Sequence, residues 1–62
     1  MEAAELTRRR EALSLSINKL AHEFKVSPSS IQRWEAGIVV LQGLMAIGAD
    51  TILKRLERQP KG

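Results

Sequence analysis

The sequence predicts an all-α domain of four to five short helices, and three observations lead there. Ile17, Leu20, Ala21 and Phe24 fall at i, i+3, i+4 and i+7, the period of one helical face. Ser16 precedes that stretch, Ser27 and Pro28 precede the next, and Gly37 follows it, the residue types that start and stop helices. With 62 residues the chain makes one domain, and a domain that small buries only about 60% of its unfolded surface, so short helices around a small core are what it can sustain.

The first helix is expected from about Glu2 to Leu13. Glu2 and Glu5 lie near its positive end and Arg8, Arg9 and Arg10 toward its negative end, each the favourable sign for the helix dipole. The second runs from Ile17 to about Phe24 behind Ser16, with Asn18, Lys19, His22 and Glu23 opposite its apolar face. Ala21 sits where a larger side chain would push neighbouring helices apart. The third, capped by Ser27 and opened by Pro28, ends near Ala36, with Gly37 as its left-handed stop. Ile31 and Trp34 point inward, while Ser29, Gln32, Arg33 and Ala36 gather on the far side.

Beyond Gly37 a short fourth helix is expected over about Val40 to Ile47, ended by Gly48. Asp50 then caps a fifth carrying Ile52, Leu53 and Leu56 on one face. One helix continuing through Gly48 is the alternative, at a cost of about 1 kcal/mol. The domain is expected over residues 1–58, with 59–62, which include Pro60 and Gly62, as a flexible tail.

Composition narrows the function classes. There is no cysteine and one histidine, which excludes a disulfide scaffold and a cysteine or multi-histidine metal site, so no metal and no cofactor are expected. Without clustered carboxylates or an activating base beside Ser29 and Ser30, an enzyme is not expected either. No apolar run is long enough to span a membrane and no signal-peptide core is present, so a cytoplasmic protein is the simplest expectation. The net charge of +3 and pI near 10.0 are compatible with an anionic partner.

Two capped helices within Leu15 to Gly37 form a helix-turn-helix pattern, and the second presents Ser, Gln and Arg around a small Ala, a face that can lie flat in the major groove. The segment from Leu20-Ala21 through Val26-Ser27 to Ile31-Gln32-Arg33-Trp34-Glu35-Ala36-Gly37 resembles the second and third helices of the lambda-repressor-like, or Xre-type, family of phage repressors and Cro proteins. The resemblance extends over roughly Leu6 to Leu53. It implies sequence-specific binding of double-stranded DNA by a transcriptional regulator, in the simplest form a homodimeric repressor on a palindromic operator. It also implies that Arg10 pairs with Glu35 to position the third helix. The chain departs from the family pattern at Ile17, where a phosphate-touching Gln is usual, and at Ser14 and Lys25, where Gly is expected.

On this reading Pro28, Ser29, Gln32 and Arg33 meet the bases, and Asn18, Lys19, Ser27, Ser30 and Arg9 hold phosphates. Trp34 is a core residue, His22 a surface one, and Lys54, Arg55 and Arg58 a solubilising face. Ile38, Val39, Val40 and Leu41, four successive apolar residues, are expected in the core or, with Leu56, at a dimer interface. A second function class stays open: a protein-interaction module that binds a partner as an antitoxin binds its toxin, with or without DNA autoregulation.

Overall fold

The computed structural model describes residues 1–59, so most of the tail expected at 59–62 lies outside it. Four helices fill the described residues: α1 (Ala3–Ala12), α2 (Ile17–Phe24), α3 (Pro28–Glu35) and α4 (Gly43–Arg58). Leu6, Leu20, Ile31 and Leu53, one from each helix, are fully buried and meet at the centre. Burial of a side chain of this size contributes roughly 1.5 to 3 kcal/mol, so the four together fix the relative placement of the helices. Ala21 is also buried, and its small size lets α2 and α3 pack closely.

The first three helices end in the same way. After α1, Ser14 N–H bonds to the Glu11 carbonyl and Leu15 N–H to that of Arg10. After α2, Lys25 N–H bonds to His22 and Val26 N–H to Ala21. After α3, Gly37 N–H bonds to Trp34 and Ile38 N–H to Arg33. Each is a Schellman motif, which satisfies the last carbonyls by turning one residue left-handed. Ser14 (φ 57°) and Lys25 (φ 58°) adopt that conformation despite their side chains, and Gly37 (φ 76°) adopts it freely. Leu15 and Val26, which follow the first two left-handed residues, pack against the core.

At the helix starts, Ser16 Oγ accepts from the Lys19 N–H at 3.0 Å, as its position implies. Ser27 occupies the N-cap of α3 but makes no side-chain capping bond; its hydroxyl meets those of Ser29 and Ser30 at 3.0 and 3.2 Å. Pro28, which has no N–H to satisfy, opens the helix.

The C-terminal region differs from the expected fourth and fifth helices. Val40 and Leu41 precede α4, which runs unbroken through Gly48. Asp50 lies within that helix and pairs with Arg9 and Lys54 in place of capping. Burying Ala49 and Leu53 with Ala46 and Leu56 against the core outweighs the roughly 1 kcal/mol cost of a mid-helix glycine. Gly43 makes the turn into α4 at φ 66°.

The apolar segment after α3 also divides. Leu41 is buried in the chain's own core and is not free to form the expected dimer contact, whereas Leu56 packs against that core while half-buried. Ile38, Val39 and Val40 remain exposed.

Candidate nucleic-acid interface

The α2–α3 pair presents one polar face. Ile31 and Trp34 bind α3 to the core at 0% and 7% exposure, so the opposite side of the helix must face solvent. Pro28, Ser29, Gln32 and Arg33 are all exposed there, as are Asn18 and Lys19 on α2 and Ser27 in the turn; Ser30 is half-buried. Among the described residues the side chains of Gln32 and Arg33 take no hydrogen-bond partner within the chain.

A second pair holds this face in place. Arg10 Nε and Nη2 donate to the two carboxylate oxygens of Glu35 at 2.7 and 3.0 Å, and Arg10 Nη1 donates to the Leu15 carbonyl at 2.9 Å. Both side chains are largely buried, at 14% and 11% exposure. The hydrogen bonds to Glu35 raise the pKa of the Arg10 guanidinium above its ordinary value, despite burial, which acts the other way. The pair thus fastens the C-terminal turn of α3 to α1 and, through Leu15, to the end of the α1–α2 turn.

Arg9 is placed elsewhere than expected. Its guanidinium donates to Glu57 at 2.9 and 3.1 Å, to Asp50 at 2.8 Å and to Glu5 at 3.4 Å. Those carboxylates belong to α1 and α4, and they occupy the donors a phosphate would need, so Arg9 is a clamp between these helices. Arginine supports this role through its planar fork of donors. Periodicity does not distinguish Arg9 from Arg10, because the acids that meet them at 3.1 Å or less, Asp50 and Glu57 for Arg9 and Glu35 for Arg10, lie far along the chain.

Lys25 is absent from the expected contact residues, yet its exposed side chain adds a cation at the α2–α3 turn. Among the described residues Lys19, Lys25 and Arg33 make no ion pair, whereas Lys54 meets Asp50 at 3.0 Å and Arg55 meets Glu23 at 3.8 Å. The signal available in the sequence was a lysine in the tight turn where glycine is expected.

The helix-turn-helix family model matches residues 6–47, which span α1 to α3 and enter α4. The chain belongs to the Xre-type, lambda-repressor-like helix-turn-helix family. It is thereby a protein of the DNA-binding transcription-regulator kind. No curated protein and no solved structure matches it. Among the described residues no helix is long and apolar enough to cross a membrane.

Proposed function

We propose that this helix-turn-helix protein binds a specific double-stranded DNA sequence, with α3 in the major groove, and acts there as a homodimeric repressor. The supporting observation is that Gln32 and Arg33 stand exposed and unpartnered on a helix whose other side is fixed by Ile31, Trp34 and the Glu35–Arg10 pair. Arginine reads guanine bidentately and glutamine reads adenine, each through donors fixed in direction, so a rigid helix is what makes such contacts selective.

Ser29 and Pro28 stand near the helix tip. Asn18, Lys19, Ser27 and Ser30, with Lys25 beside them, hold the sugar–phosphate backbone. These contacts set affinity and register, and the base contacts set sequence choice. One module of this type covers roughly 600 to 1,000 Å² on DNA, so useful selectivity favours two copies on half-sites about 34 Å apart. Repression follows from occupying promoter DNA that polymerase requires.

Selection of duplexes from a random library tests this reading. A palindromic consensus is the expected result. Recovery of no enriched sequence, with only salt-sensitive retention of any duplex, would favour the protein-interaction module.

A further inference from the structure

We infer that the cleft between the start of α1 and the segment joining α3 to α4 binds an amphipathic organic ammonium ion, a small molecule with one positive charge on an apolar body. The cleft has a volume of about 570 Å³, within the roughly 300 to 1,000 Å³ typical of small-molecule sites. Trp34, Val39, Val40 and Leu41 give it an apolar wall, and Glu2 and Glu5 bring carboxylates to it. A mostly apolar hollow with a few polar groups is the composition such sites share.

Charge selects the ligand. Among the described residues Glu2, which is exposed, makes no ion pair. Arg9 reaches Glu5 at 3.4 Å, but it holds Asp50 and Glu57 more closely, at 2.8 and 2.9 Å, so Glu5 keeps most of its charge unopposed. Among the described residues the one cation in the lining is the Met1 ammonium, which donates to the Leu41 carbonyl at 2.7 Å. Two carboxylates against one ammonium leave the cleft negative, on a chain whose net charge is +3. Low-dielectric walls concentrate the field of such charges, so a cation is drawn in and an anion is repelled. The Met1 contact also shows that an ammonium finds an acceptor there.

The apolar wall selects the rest of the molecule. Val39 and Val40 are exposed by 44% and 65%, and a metal ion or a hydrated polyamine would leave them in water. An apolar body covers them, which is favourable in proportion to the area removed from solvent. Gln32 and Arg33 do not line the cleft, so the ligand leaves the polar face of α3 open and the inference stands apart from the DNA-binding reading.

Titration of the full chain with phenylbutylammonium tests the inference, followed by amide NMR shifts and by the fluorescence of Trp34, the sole tryptophan. Saturable binding is expected at millimolar concentration or below, with shifts at Glu2, Glu5 and Val39 to Gln42. Phenylbutanol, uncharged and of similar size, should bind about 5-fold more weakly, and phenylbutyrate more weakly still. That preference should disappear in about 1 M salt, where charges are screened within about 3 Å. Glu2→Gln combined with Glu5→Gln should bring phenylbutylammonium down to the affinity of phenylbutanol and leave phenylbutanol unchanged, whereas an unfolded variant would bind neither. Val40→Ser should weaken both probes by about 2-fold. No saturable binding, equal binding of the three probes, or shifts confined to other parts of the chain would overturn the inference. So would a lysine–valine peptide that binds more tightly than phenylbutylammonium, since the cleft would then belong to a partner protein.

Discussion

Arg10 and Glu35 are joined by two parallel hydrogen bonds of 2.7 and 3.0 Å between α1 and α3. Because both groups are largely buried, removing one strands the other in a poorly solvated place. Glu35→Ala should therefore lower unfolding free energy by roughly 2 to 4 kcal/mol, measured by urea titration. Arg10→Ala should cost about the same, and the double variant less than the sum of the two. Equal and additive small losses would show that the pair is solvated and does not hold α3.

The Arg9 clamp makes stability depend on acid. Hydrogen bonds from Arg9 are the main reason that the Asp50 and Glu57 carboxyls titrate below their usual range. A carboxylate with a depressed pKa in the folded state adds stability that is complete above its unfolded value, about 4, and is lost as pH falls through the folded value. The protein should accordingly lose stability progressively below about pH 4. Arg9→Met should lower stability at neutral pH and flatten the acid loss, as read from urea midpoints at a series of pH values. An acid slope unchanged by Arg9→Met would place its origin elsewhere.

The left-handed residues give a test of opposite sign. Lys25 holds φ 58° and ψ 43°, a conformation that disfavours a residue with a Cβ. Lys25→Gly should raise stability by about 0.5 to 1 kcal/mol, the relief of strain exceeding the entropy gained by the unfolded chain. Lys25→Val should lower it by roughly 1 kcal/mol or more. The same Lys25→Gly protein should bind DNA more weakly if the ammonium meets a phosphate, so stability and affinity would move in opposite directions.

Leu41 distinguishes a core position from an interface. At 3% exposure within the single chain, Leu41→Ala should cost about 2 to 4 kcal/mol even at concentrations too low for association. A loss seen only at high concentration would return Leu41 to the dimer contact.

Much of the recognition half was legible in the sequence because its signals are local. Ser16, Pro28 and Gly37 punctuate the helices, and the Ile31 and Trp34 spacing orients α3, so the polar face followed from neighbours within a few turns. The Arg10–Glu35 pair came from the family resemblance. The fates of Arg9 and Leu41 were not legible, since each is decided by tertiary contacts. Arg9 meets acids 41 and 48 positions away, and Leu41 turns inward from a segment with no periodicity of its own. Gly48 misled for a related reason. A glycine punctuates by local propensity, and here the burial of Ala49 and Leu53 carries the helix past it.

The most direct measurement is titration of Arg33→Ala and Lys19→Ala against the selected duplex and a scrambled one at several salt concentrations. The account predicts that Arg33→Ala loses about 1 to 3 kcal/mol on the selected duplex and relaxes preference at one base position. Lys19→Ala should weaken both duplexes alike and reduce the salt slope by about one unit. If Arg33→Ala changes neither affinity nor sequence preference, α3 does not read DNA and the account is wrong at its centre.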